Sequence, residues 1–340
     1  MIVLDTNQLQ PHLSLTSPTV AILRAIAHQS GERLAVPQIV ADEFIAHYQH
    51  HVEELLSGIR RNINKLRDLD RASNLTLMGS SPIEAIVTQH RDLLEIIFEV
   101  LPLPEGAAET ALRRELRREQ PASTNWGKPG SGARDVALWL TAVAQMSEDQ
   151  IVYFISNDEA AFGVGGNLHS DLAAELDGAS GSFRYLNKID DLLAIFATRE
   201  ATALAEFEWL TEDPLVRQAL DEVRWTPPPT IIAGTYTSWS YQDMPLRPSV
   251  IYAGQIEQAV PYRLGNELWL SVRIMWLGQH QLWTGYANAI PGAPSSRTVV
   301  SYFRTPATMV IHLSPDDTVV AAQVVSIGTD ELFHSEVIDG

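Results

Sequence analysis

The sequence contains no cysteine. Disulfides and thiolate metal sites are thereby excluded, and a bound metal would have to rely on oxygen or imidazole ligands. Long apolar runs are missing as well. No stretch approaches the roughly 18 uncharged apolar residues of a membrane span, so no membrane association is expected. The first residues, MIVLDTNQLQ, lack a basic region followed by an apolar one, so a secretory leader is not expected and a cytoplasmic location is. Positive charge is scarce: 24 Lys and Arg stand against 42 Asp and Glu, a net charge of −18. Phosphate attraction needs local positive potential, so the chain as a whole is a poor general binder of nucleic acid. A cluster of acids around a divalent cation would tilt the count the same way, so nucleic acid is not excluded.

At 340 residues, two domains are expected. Residues 1–5 read as a short buried strand, and LAVPQIV at 34–40 as a strand running into a helix. Helical periodicity covers 18–29, 38–72, 82–100 and 106–119. IVYFIS at 151–156 and FRYLNKID at 183–190 read as strands, and 190–210 as a helix. Strands alternating with helices imply an α/β domain with a parallel sheet, whose ligands lie beyond the carboxyl ends of the strands. The expected division is an α/β domain over 1–200, a helix and proline-rich linker (WTPPPT) over 201–230, and a small β-rich domain, sandwich or barrel, over 231–340. That last part has no lysine and holds four of the eight tryptophans. LWLSVRIMW at 268–276 alternates, with Leu268, Leu270, Val272, Ile274 and Trp276 on one side.

Four acids fall at strand ends or helix starts of the first domain. Asp5 ends the first strand, Glu43 opens a helix, Asp135 follows the loop KPGSGAR, and Asp158 follows IVYFIS. Crowded carboxylates repel one another, and a divalent cation relieves this. Mg²⁺ or Mn²⁺ prefers oxygen ligands and suits phosphate chemistry.

In order, VLDTN, VADEF, GARDVALW and FISNDEAAFG resemble the motifs of the PIN domain, a metal-dependent nuclease fold, over about residues 1–195. The resemblance implies a parallel sheet with helices on both faces, and Asp5, Glu43, Asp135 and Asp158 as catalytic metal ligands. It also implies supporting roles for Thr6, Asn7 and Asn157. About ninety residues separate Glu43 from Asp135. That is longer than in compact toxin-type members, and it implies a helical insertion like that of larger bacterial PIN-like proteins, a group that LHSDLAAEL at 168–176 also resembles. The expected function is a Mg²⁺- or Mn²⁺-dependent ribonuclease of a toxin–antitoxin or defence system, with RNA as substrate and an antitoxin or other protein as partner. The alternative is a non-catalytic PIN-like module that binds RNA or protein. A haloacid dehalogenase-type phosphatase wants a second acid where Asn7 stands.

Several residues admit two readings. Arg134 either contacts substrate phosphate or pairs with an acid. Arg113, Arg114, Arg117 and Arg118 form either a phosphate-contacting face or a solvated face laced with acids. The basic segment around Arg60, Arg61, Lys65, Arg67 and Arg71 reads the same two ways. His47 and His51 share the helical face of Glu43, and a solvated face is the expected role for them. The tryptophans of the β-rich part are expected in the core rather than stacked on bases.

Overall fold

The computed structural model describes residues 1–69, 83–122, 132–147, 149–176, 183–200, 203–222, 250–285, 296–328 and 331–339. Contacts divide the chain into two units: Met1–Leu15 with Leu23–Phe196, and Thr16–Ile22 with Ala197–Gly340.

The first unit is built on five parallel strands: β1 (Ile2–Leu4), β2 (Leu34–Pro37), β3 (Glu99–Leu101), β4 (Val152–Ile155) and β7 (Phe183–Leu186). Their order across the sheet is β3-β2-β1-β4-β7. Every residue of β1 is fully buried, as expected of a central parallel strand covered on both faces. The helices of this unit are α1 (Thr6–Leu9), the part of α2 (Pro18–Ser30) from Leu23 onward, α3 (Gln38–Leu69), α4 (Ile83–Ile97), α5 (Ala107–Arg117), α6 (Ala133–Val143), α7 (Ser170–Glu175) and α8 (Ile189–Phe196). Strand order runs one way from β1 to β3 and the other way from β4 to β7. Right-handed crossovers therefore place the connecting helices on opposite faces. The reversal falls between β1 and β4, and a ligand crevice opens beyond the carboxyl ends of such a pair.

A short hairpin of β5 (Gly163–Val164) and β6 (Asn167–Leu168) follows β4. Its turn, Gly165–Gly166, has φ of 58° and 81°, which glycine adopts without strain. At Gly163 a Cβ would stand 2.5 Å from the Tyr185 ring, so that aromatic packs directly on the backbone.

Two elements differ from the sequence reading. The helix expected over 82–100 ends at Ile97, and Glu99–Leu101 forms the edge strand β3. Pro102 disfavours helix at Leu101 and pushes it to extended geometry. The helix expected over 190–210 stops at Phe196, and Thr198–Arg199 (β8) pairs instead with Arg263 and Tyr262. Sheet pairing there overrides a weak local helix preference.

The second unit carries one connected antiparallel sheet of β8, β9 (Val250–Leu264), β10 (Glu267–Gly285), β11 (Ser296–Leu313), β12 (Val319–Ile327) and β13 (Glu331–Asp339). β11 pairs β13 through its first half and β12 through its second. The expected alternation holds: Leu268, Leu270, Val272, Ile274 and Trp276 are buried. A 3-10 helix, Leu204–Thr211, and α9, Pro214–Glu222, complete this core with Phe207, Leu210, Val216 and Leu220. Trp269 stacks on His312 at 4.3 Å. The proline-rich linker, Trp239 and Arg71 lie outside the described residues, as does most of KPGSGAR, and nothing is described for the side chains of Arg67 and Trp283.

Candidate active site

The site grows from the end of β1. Asp5 directly follows the strand and caps α1, accepting a hydrogen bond from the Thr6 N–H at 2.6 Å. Its own N–H donates to the Ile155 carbonyl of β4 at 3.0 Å, locking it across the strand reversal. Oδ2 accepts from the Ser156 hydroxyl and from Asn7 Nδ2, each at 2.6 Å. Asn7 Nδ2 also reaches the Ser156 hydroxyl at 3.1 Å, and its Oδ1 accepts from Gln8 Nε2 at 2.8 Å. Only 2 % of Asp5 is exposed. Burial pushes its carboxyl up to about 6, against the pull of the Ser156 hydroxyl, the Thr6 N–H and Arg134, while the nearby Asp135 raises it further.

Glu43 enters on the first turns of α3, just past β2. Its Oε2 accepts from the Thr6 hydroxyl at 2.5 Å. Oε1 accepts from Arg134 Nη1 and lies 3.8 Å from His47 Nε2. Asp135, in the first turn of α6, accepts at Oδ1 from Arg134 Nε and Nη2, at 3.3 and 3.1 Å. Burial raises the Asp135 carboxyl; Arg134 lowers it, and the charges of Asp158 and Glu43 raise it. Burial alone would lower the Arg134 guanidinium, but Asp135, Glu43 and Asp5 outweigh this and raise it.

Asp158 belongs to the far side of the same edge. Its N–H donates to the Ser156 hydroxyl at 3.1 Å, and its Oδ1 caps the following turn by accepting from the Ala161 N–H at 3.1 Å. Tyr185 donates its hydroxyl to the Ser156 carbonyl at 2.9 Å. Burial pushes that phenol up to about 12, helped by the charges of Glu159, Asp158 and Asp5, so it stays a donor.

Asp5, Glu43 and Asp135 are thus joined through Thr6 and Arg134, and Asp158 reaches them through Ser156. Asn157 touches this group through its backbone N–H, which donates to Asn7 Oδ1 at 3.3 Å. No sequence motif marks Ser156, whose hydroxyl lies between Asp5 and the Asp158 N–H. Its only signal is a small polar residue ending a buried strand.

The arginines of α5 are committed elsewhere. Arg114 grips Glu175 with two bonds, at 2.8 and 3.0 Å, and Glu175 also accepts from Trp139 Nε1 at 3.1 Å. Arg113 pairs with Glu109 at 2.7 Å and Arg117 with Glu119 at 3.8 Å. Arg118 closes the helix in a left-handed conformation, φ 58°. Arg113, Arg114 and Arg117 thus each face an acid. His51 is exposed.

Among the described residues no three acid or histidine side chains are arranged to hold a metal as they stand. The donor chemistry nonetheless fits a hard divalent ion. All four candidate ligands are carboxylates, two of them raised by burial, and one guanidinium offsets only one of their charges.

Residues 2–162 match the family model described as PIN domain, a match that supports a PIN domain-like reading of the first unit. PIN domains are generally nucleases, and those nucleases typically use divalent metals. No curated protein and no solved structure gives a significant match to the chain. Among the described residues no helix is long and apolar enough to cross a membrane.

Proposed function

We propose that the first unit is a Mg²⁺- or Mn²⁺-dependent ribonuclease that hydrolyses phosphodiester bonds to leave a 5′-phosphate and a 3′-hydroxyl. The observation that carries this reading is the set of acids gathered at the strand reversal, with Asp5 buried and held by three donors. Asp5, Glu43, Asp135 and Asp158 would hold the cation. When bound, such a cation lowers the pKa of water and neutralises charge on the phosphate. Ser156, Asn7 and the Thr6 N–H fix the Asp5 carboxylate so that it does not reorganise when a ligand arrives. The Thr6 hydroxyl orients Glu43 in the same way. Hydrolysis adds water across the P–O3′ bond, and the proton leaves with the 3′-hydroxyl.

A second reading, a non-catalytic module that binds RNA or protein, is favoured by one contact: Arg134 already pairs with both Glu43 and Asp135 within the chain. A cleavage assay separates the two. Single-stranded RNA, single-stranded DNA and duplexes are offered with Mn²⁺ to the wild type and Asp5→Asn. Metal-dependent cleavage of RNA that Asp5→Asn loses supports the nuclease; cleavage of nothing by the wild type supports the module. A cytoplasmic setting, and a toxin–antitoxin or defence role with a protein partner, go with the nuclease reading.

A further inference from the structure

Arg134 stands where a helix start does not favour it. It is the second residue of α6, and the positive end of a helix dipole disfavours a cation while it favours the neighbouring Asp135. What holds the guanidinium is the acid pair. Nη1 donates to Glu43 Oε1, and Nε and Nη2 donate to Asp135 Oδ1. One side chain therefore covers an oxygen on each of two proposed metal ligands. The other Glu43 oxygen is engaged by the Thr6 hydroxyl. Arg134 is 45 % exposed, so its head group can leave the acids without crossing packed core.

We infer that Arg134 is an exchangeable counter-ion, which holds Glu43 and Asp135 in the metal-free protein, yields them to a divalent cation, and then contacts the phosphate of a bound nucleotide. The inference rests on the metal-dependent reading above. A doubly charged ion out-competes a singly charged guanidinium for the same carboxylate oxygens. The displaced head group stays tethered at the rim of the site. An incoming phosphate restores the negative partner it lost, and the planar fork of arginine matches phosphate oxygens two at a time.

The test is a pair of calorimetric titrations on the full chain: Mn²⁺ into metal-free protein, then a nucleoside 5′-monophosphate into Mn²⁺-saturated protein. Wild type, Arg134→Gln and Arg134→Lys are compared. Removing a competing unit charge a few ångströms away should tighten Mn²⁺ binding about tenfold in Arg134→Gln. The same variant should bind the nucleotide about tenfold more weakly, having lost a charge-assisted fork. Arg134→Lys, which keeps the charge but not the fork, should match wild type for Mn²⁺ and fall between the two for nucleotide. Opposite changes in the two affinities separate this role from a folding defect, which lowers both. Equal Mn²⁺ affinity in wild type and Arg134→Gln overturns the exchange and leaves the metal-dependent reading standing. So does a parallel loss of both affinities that Arg134→Lys fails to rescue. No Mn²⁺ binding by any of the three proteins overturns both.

Discussion

The Ser156 hydroxyl donates to the Asp5 carboxylate at 2.6 Å, across the two strands where the sheet reverses direction. Ser156 is fully buried and follows β4; Asp5 is almost fully buried and follows β1. The bond opposes the rise that burial imposes on the Asp5 carboxyl. In Ser156→Ala that opposition is gone, so Asp5 should ionise at higher pH still. The acid limb of the pH profile of metal-dependent cleavage should move to higher pH. Stability should fall by about 1 kcal/mol for the lost hydrogen bond. A pH profile superimposable on that of wild type would show that Asp5 does not feel this hydroxyl.

The Asp5 shift also sets how stability depends on pH. Its carboxyl titrates at 3.8 when unfolded and at about 6 when folded. For an acid raised on folding, the favourable contribution is complete below the unfolded value and is lost as pH rises through the folded one. Two units correspond to roughly 3 kcal/mol, as an upper figure. In metal-free protein, Asp5→Asn should therefore gain stability relative to wild type between pH 4 and pH 7. Mn²⁺ at pH 7.5 should stabilise wild type and leave Asp5→Asn little changed. Denaturant unfolding at several pH values reads this directly; a wild-type minus variant difference that stays constant from pH 4 to 7 contradicts it.

Arg114 and Glu175 tie α5 to α7 through two hydrogen bonds in a partly buried setting, with Trp139 on the same carboxylate. A double-mutant cycle with Arg114→Ala and Glu175→Ala should give a coupling of about 1–2 kcal/mol. Nucleotide affinity of the Mn²⁺-loaded protein should not change in Arg114→Ala. A large loss there would return α5 to the substrate face.

Leu220 and Phe207 bring α9 and the 3-10 helix into the core of the second unit. Leu220→Ala should cost about 2–5 kcal/mol, since Leu220 is fully buried. Urea unfolding followed by tryptophan fluorescence, with Trp276 in that core as a reporter, measures it. A loss below 1 kcal/mol would mean that the helix is only loosely held there.

The positions of the candidate acids were legible because each follows closely on an apolar run or falls in the first turns of a helix, and a strand end is a place that sequence marks well. β10 was legible because its alternation is complete from Leu268 to Trp276. Ser156 was not, since its importance depends on β4 lying beside β1, a pairing of residues about 150 apart in the chain. The pairing of Arg134 with Glu43 was hidden for the same reason: the two are distant in sequence and close in space. Residues 99–101 carry the tail of a helical pattern, and only Pro102 hints that they turn into a strand. The helix expected beyond Phe196 gave way to pairing with β9, which no local pattern announces.

The most direct measurement is cleavage of single-stranded RNA with Mn²⁺ by wild type, Asp5→Asn and Asp135→Asn, each checked for an intact unfolding transition. Wild type should cleave in a metal-dependent way, and either variant should lose at least about a hundredfold, the scale at which a preorganised electrostatic group contributes. Turnover in the folded Asp5→Asn or Asp135→Asn protein equal to that of wild type would contradict the assignment of these acids.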